Sequence, residues 1–216
     1  MQHMLFYQDD NPLVSVILPT YNRQHLLNRA LKSLNSQTFQ HFELIIVDDG
    51  STDNSCQMIF SFLNTFKQPY RYIKQQNQGL PIALNIGLQV STGKYITFLN
   101  SDDRYKPKHL ETRFQYMKTH PETDLLHGGV QVIGNPFVKD KNDLNNYIPI
   151  EQCTLGATFF GKRHVFKSLN GFKNIPYSED SDFKERADLK FNIIKLDNPK
   201  TYVYYRDTPG SITNSV

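Results

Sequence analysis

Three short acidic groups hold the residues of this chain best suited to chemistry: Asp48-Asp49, Asn100-Ser101-Asp102-Asp103 and Glu179-Asp180. Adjacent carboxylates repel unless a cation or a donor stands between them, and a hard divalent ion with oxygen ligands is the usual solution. Asp102 and Asp103 are therefore candidate metal ligands. A carboxylate at a strand end, as Asp49 is expected to be, can accept the imide N–H of a uracil. Asp180 lies in a separate acidic segment and can take the proton of an incoming hydroxyl. A plainer reading stands beside each of these. Asp48 suits a turn or a helix cap, and residues 100–103 suit a polar turn. Glu179, Asp180 and Asp182 would favour a helix N-terminus through its dipole, by about 0.5 kcal/mol each.

The elements that must hold these acids are legible from apolar patterning. Leu13 to Pro19, Phe42 to Val47 and Tyr95 to Leu99 are nearly uninterrupted apolar runs, as expected of strands buried on both faces, and Tyr70 to Lys74 is a plausible short strand. Between them, Leu26, Leu27, Ala30, Leu31 and Leu34, then Met58, Ile59, Phe62, Leu63 and Phe66, then Ala83, Leu84, Ile86 and Leu88 recur at helical spacing. Strand and helix alternate through the first hundred residues, with crossovers of roughly twenty residues, which predicts a mostly parallel α/β sheet with helices on both faces. In such a sheet ligands bind at the carboxyl ends of the strands, so Asp49 and Asp102/Asp103 are expected to converge on one crevice. Past Asp103 the alternation weakens. Helices are expected over Leu110 to Met117, Val165 to Leu169 and Phe183 to Leu189. Extended segments are expected over Leu125 to Ile133, Phe191 to Leu196 and Tyr202 to Tyr205. Thr154 to Phe160 is expected to return to the sheet, and the polar, Asn-rich stretch Lys139 to Pro149 reads as a loop.

Composition narrows the classes. The 216 residues suffice for one domain with a real core, and 38% hydrophobic content argues against disorder. A formal charge of +3 without a dense basic run gives no footprint for nucleic acid. Cys56 and Cys153 stand far apart and outside any C-x-x-C, so a reducing, cytoplasmic setting is expected. Met1 to Asn11 has the pattern of neither a signal peptide nor a membrane span, and no run approaches the ~20 apolar residues that crossing requires. Peripheral association with the inner face of a membrane stays open.

The ordered motifs carry a family resemblance. Val14 to Asn22, Gln37-Thr38-Phe39, Ile46 to Asp53, Gly79 with Asn85-Ile86-Gly87, Gly93 to Asp103, and Gly171-Phe172 with Glu179-Asp180 follow one another as in family 2 of the inverting glycosyltransferases, whose fold is called GT-A. The resemblance spans about Leu13 to Ser211. It implies a single glycosyltransferase domain over 1–216, with a nucleotide-sugar-binding half over about 13–103 and an acceptor-binding half over about 104–211. By position it implies that Pro19, Thr20, Tyr21, Asp49, Gly79, Asn100, Ser101, Asp102, Arg206 and Ser211 line the donor site. Asp102 and Asp103 would hold Mg²⁺ or Mn²⁺, and Asp180 would be the catalytic base. The implied donor is a nucleotide sugar, most simply a UDP-sugar, and the implied acceptor is a saccharide or lipid-linked saccharide. Three positions depart from the family pattern. Asn100 stands where many members carry the first Asp of an Asp-x-Asp, Leu84 replaces a common Arg, and Thr208 replaces a common His. The departures at Asn100 and Thr208 keep a non-catalytic nucleotide-sugar-binding module as the alternative. A Rossmann dinucleotide enzyme is disfavoured, because Pro19-Thr20-Tyr21-Asn22 stands where a glycine fingerprint would be.

Overall fold

The computed structural model describes residues 12–206. In chain order the elements are β1 (Val14–Thr20), α1 (Gln24–Asn35), β2 (Phe42–Asp48), α2 (Ser55–Leu63), β3 (Tyr70–Lys74), α3 (Leu80–Val90), β4 (Tyr95–Phe98), β5 (Arg104–Tyr105), α4 (His109–Thr119), β6 (Leu125–His127), β7 (Val130–Ile133), β8 (Phe137–Lys139), β9 (Tyr147–Pro149), β10 (Phe160–Lys162), α5 (Arg163–Ser168), α6 (Glu179–Asp188), β11 (Ile193–Lys195) and β12 (Tyr202–Tyr205). Seven strands form the central sheet in the order β11-β6-β10-β4-β1-β2-β3. The run β4-β1-β2-β3 is parallel throughout, and β10 enters antiparallel between β4 and β6. The predicted mostly parallel α/β sheet is thus present, with one reversed strand contributed by the second half of the chain.

Both faces of the sheet are covered, which is why β1 and β2 read as continuous apolar runs: every residue of each is buried. Val14, Val16, Leu18, Leu44 and Ile46 pack with Leu27, Leu31 and Leu34 of α1 and Ile59 of α2. The alternate residues Ile17, Ile45 and Val47 belong to a second core with α3, α5 and α6. Helix α3 lies so close to β1 that a Cβ at Gly87 would come within 2.5 Å of Ile17.

At the amino ends of the strands a polar clamp ties the sheet together. Glu43 is buried, and its Oε1 accepts from Ser15 Oγ at 2.6 Å, Thr92 N at 2.7 Å and Thr92 Oγ1 at 2.8 Å, while Oε2 is paired with Arg71. The site lies at the other end of the same strands.

Three expectations are corrected. The first strand, expected over Leu13 to Pro19, does not end at the proline but runs on to Thr20, paired with Asp48. The ladder to β4 ends at Ile17 with Phe98, so no partner on that side needs the N–H that Pro19 lacks. Leu125 to Ile133 is not one extended segment. Gly128 and Gly129 divide it into β6 in the central sheet and β7 in a second sheet of order β5-β12-β7. The Asn-rich stretch from Lys139 to Pro149 is the greater part of a hairpin, β8 paired antiparallel with β9 around a polar turn. It turns Val138 inward, where that side chain is buried.

Candidate active site

A cavity of about 950 Å³ opens at the carboxyl ends of β1, β2 and β4. Its wall contains Asp49, Asp102, Glu179 and Asp180, together with Pro19, Thr20, Tyr21, Gly79, Asn100 and Ser101. The sheet explains the convergence: β1, β2 and β4 are adjacent and parallel, so the turns that follow them share one edge. The opposite wall comes from Val138 and Ile148 of the hairpin, the 154–157 turn and the start of α6.

Asp49 is fixed by donors on all sides. Its Oδ1 accepts from Gln75 Nε2 at 2.6 Å and from the Gln78 amide at 2.9 Å, and Oδ2 accepts from the Gly79 amide at 2.8 Å. Gly79 reaches that position with φ of 92°, a conformation that residues with a Cβ rarely adopt. Tyr21 is 45% exposed at the rim of the same wall. Asp48, by contrast, turns away from the cavity and serves the fold: its carboxylate accepts from the Ser51 amide at 2.7 Å and from the Tyr72 hydroxyl at 2.8 Å.

The two acids at the end of β4 part company. Asp102 faces the cavity, and burial raises its pKa against the pull of the Arg23 and Arg29 guanidiniums. Asp103 is fully buried outside the cavity wall. Its Oδ2 accepts from Tyr202 Oη at 2.6 Å and Asn100 Nδ2 at 3.2 Å, and its Oδ1 accepts from the Tyr205 amide at 2.9 Å. Burial, with the neighbouring Asp102 charge added, pushes Asp103 up to about 8. The expected metal pair therefore meets a carboxylate with both oxygens occupied by β12 and Asn100. Among the described residues no three His, Cys, Asp or Glu side chains cluster as a metal site. Asp102 alone still fits a divalent ion, because such ions commonly take one or two protein carboxylates and complete their shell with substrate phosphates and water.

Asp180 opens α6 and reaches back to the 154–157 turn. Its Oδ2 accepts from the Gly156 amide at 2.9 Å, and its Oδ1 accepts from the Ser181 amide at 2.8 Å. A Cβ on residue 156 would lie 2.8 Å from Asp180 Cβ, so only glycine lets the two segments approach this closely. Burial raises the Asp180 pKa, which its amide donors partly offset. Burial together with the Asp180 charge pushes Glu179 up to about 7. The helix is located by a clip: Asn85 of α3 donates to Phe172 O at 2.7 Å and accepts from Phe172 N at 2.9 Å, and Arg186 of α6 donates to Gly171 O at 2.9 Å.

One expected donor-site residue among those described is not in the cavity wall. Arg206 is buried against the second sheet, where its amide donates to Ile133 O at 2.9 Å. Ser211 and the departure at Thr208 lie outside the described residues. Sequence reasoning missed Gln75, Gly156 and Tyr202. None of them carries charge at neutral pH, and each becomes relevant only through an acid distant in the chain.

This architecture has close structural relatives. The S. aureus TarS fragment 1–349, solved with UDP-GlcNAc, superposes with a TM-score of 0.79 at 24% identity, over 94% of this chain and 61% of that one. The mannosyltransferase PcManGT of Pyrobaculum calidifontis, solved with GDP-Man and Mn²⁺, superposes with a TM-score of 0.73 at 19% identity, over 95% of this chain and 59% of that one. The fold is that of the GT-A glycosyltransferases. The sequence then narrows the class: the profile of glycosyl transferase family 2 matches residues 15–179, and the chain belongs to that family. Among its relatives, the uncharacterized glycosyltransferase MJ1057 of Methanocaldococcus jannaschii is 32% identical over 200 residues, covering 86% of this chain and 69% of that protein. An uncharacterized glycosyltransferase of Haemophilus influenzae is 42% identical over 106 residues, covering 49% of this chain and 42% of that protein. GlyG of Streptococcus pneumoniae is 37% identical over 136 residues, covering 62% of this chain and 42% of that protein. The chain thus spans about two fifths to two thirds of the length of these relatives.

Proposed function

We propose that this chain catalyses transfer of a sugar from a nucleotide sugar, of which a UDP-sugar fits best, to a hydroxyl of a saccharide or lipid-linked saccharide, with inversion at the anomeric carbon. The observation that carries the reading is the meeting of Asp49, Asp102 and Asp180 in one cavity wall, from three stretches far apart in sequence. The neighbours crystallised with UDP-GlcNAc and GDP-Man lend it support.

Each acid has a task suited to its surroundings. Asp49, oriented by three N–H donors, keeps acceptor capacity for an imide N–H of the base. Tyr21, Pro19 and Thr20 form the wall against which the nucleoside would lie, and Gly79, Asn100 and Ser101 border it. Asp102 would hold Mg²⁺ or Mn²⁺ together with the donor diphosphate, and the ion when bound offsets the charge that develops on the leaving nucleotide. Asp103, expected as a second ligand, is assigned instead to anchoring the Asn100–Asp103 turn on Tyr202 and Tyr205. Asp180 takes the proton of the acceptor hydroxyl as its oxygen bonds to the anomeric carbon. The bond from that carbon to the diphosphate oxygen breaks on the opposite face, and the nucleoside diphosphate leaves with the electron pair.

Asp180→Asn is the direct test. The isosteric amide keeps an oxygen for Gly156 but cannot take the proton, so donor affinity by calorimetry should stay within about twofold while transfer falls by at least the ~10²-fold ascribed to general-base catalysis. Lost donor binding with undiminished turnover of bound donor would remove Asp180 from the mechanism. Asn100, with an amide where the family pattern has an acid, is the departure among the described residues that favours the second reading, a donor-binding module without transfer. Formation of any glycosylated acceptor, or hydrolysis of a UDP-sugar that depends on Asp180, excludes it.

A further inference from the structure

Gln75 sits one residue beyond β3, where its amide N–H donates to Asp48 O at 2.9 Å and fixes the backbone. Its side chain makes one hydrogen bond, from Nε2 to Asp49 Oδ1 at 2.6 Å. The carbonyl oxygen of the same side chain, Oε1, is buried and has no partner. A buried acceptor without a donor is destabilising, and such groups in a folded protein call for a reason. Flipping the amide would point its oxygen at a carboxylate, so Asp49 dictates the orientation in which Oε1 is left unpaired. An apolar side chain here would avoid that cost. What it would forfeit is the side-chain donor that restrains Asp49, leaving only the backbone amides of Gln78 and Gly79.

We infer that Gln75 is a positioning residue that sets nucleobase specificity: by locking Asp49, it makes the pocket select a base with an imide N–H, such as uracil, over one with an acceptor at the same place, such as cytosine. The inference rests on the proposed role of Asp49 in the donor site. A pinned carboxylate meets an N–H with a favourable bond and meets the ring nitrogen N3 of cytosine, an acceptor, with repulsion. A carboxylate free to rotate can evade the second contact and holds the first less well. Rejection of the wrong base is therefore strongest when the polar group that reads it cannot relax.

The experiment is calorimetric titration of the whole chain with UDP and with CDP, in Mn²⁺, for the wild type, Gln75→Leu and Gln75→Glu. Wild type is expected to prefer UDP. Gln75→Leu, which leaves Asp49 free to rotate, is expected to weaken UDP by roughly tenfold and to weaken CDP less, so that the ratio collapses. Its melting temperature without ligand should change little, because loss of the bond to Asp49 is offset by removal of the buried orphan oxygen, and a merely structural role predicts a clear fall. Gln75→Glu supplies an isosteric donor when protonated and a repelling charge when ionised. Its UDP affinity should approach wild type at pH 5 and fall as pH rises to 8, unlike that of the wild type. Unchanged UDP preference in Gln75→Leu, or equal weakening of both nucleotides, overturns the assignment to Gln75. Equal wild-type affinity for UDP and CDP overturns the uracil reading of Asp49 itself, and the assignment falls with it.

Discussion

Glu179 and Asp180 are chemically similar and adjacent, yet the start of α6 treats them differently. Asp180 receives the Gly156 and Ser181 amides, which favour its ionised form, whereas Glu179 is pushed up to about 7 by burial and by the charge beside it. Glu179 thus still carries its proton while Asp180 ionises, and the Asp180 charge in turn holds that proton in place. On the proposed mechanism, rate should rise with pH as Asp180 ionises. Glu179→Gln mimics the protonated neighbour, so the acid limb of the kcat/KM profile should stay in place while donor affinity holds. A limb that moves to lower pH would mean that Glu179 is charged while the base titrates. The contrast between Asp102 and Asp103 follows the same logic. Identical side chains, one residue apart, point to opposite sides of a turn, and one faces the cavity while the other accepts from Tyr202.

Elements divide stability from function along the strands. The carboxyl ends of β1, β2 and β4 carry the site, while the amino ends carry the Glu43 clamp that joins β1, β2, Arg71 of β3 and the turn before β4. Glu43→Ala would leave the hydroxyl of Ser15 and the amide and hydroxyl of Thr92 without their acceptor, at a cost of about 3 kcal/mol. In a domain of this size that corresponds to roughly 6–12 °C in melting temperature. Because the lesion lies at the far end of the strands, UDP affinity well below the melting point should not change. Calorimetry and a melt on the same sample check both halves of this expectation. The α3 clip to Phe172 is the counterpart in the second half of the chain: Asn85, on a helix of the first half, positions the loop that leads to Asp180.

At the scale of the whole molecule, the two halves of the chain share one sheet, because β10 from the second half inserts between β4 and β6. Asp103 adds a second tie. It lies in the turn after β4 and holds β12, through Tyr202 and the Tyr205 amide. Its pKa is raised to about 8 in the fold, from an ordinary 3.8. The folded state thus keeps a proton that the unfolded state has lost, and stability contributed by this group is complete below about pH 4 and is lost as pH rises toward 8. Asp103→Asn cannot titrate, so its melting temperature relative to wild type should climb steadily between pH 5 and pH 8. A difference that is flat with pH would show that the carboxyl is ionised throughout.

Residue pattern alone was enough to place β1, β2, β3 and β4, the helices between them, and the acids at the strand ends. A strand buried on both faces must be written in consecutive apolar residues, and parallel strands force their carboxyl-end turns to one edge, so Asp49 and Asp102 could be placed together before any coordinates. The start of α6 and Asp180 were legible through ordered motifs, but their distance from the other acids was not. It took the folded chain to show that Lys139 to Pro149 belongs to a hairpin walling the cavity, that Gly128-Gly129 passes the chain from one sheet to another, and that Asp103 faces Tyr202 rather than the cavity. Those outcomes turn on which side of a turn a side chain leaves and on partners some hundred positions away, and local pattern carries no record of either. Gln75 is the sharpest instance: a neutral residue in a loop, given its role by one carboxylate that the fold brings within 2.6 Å.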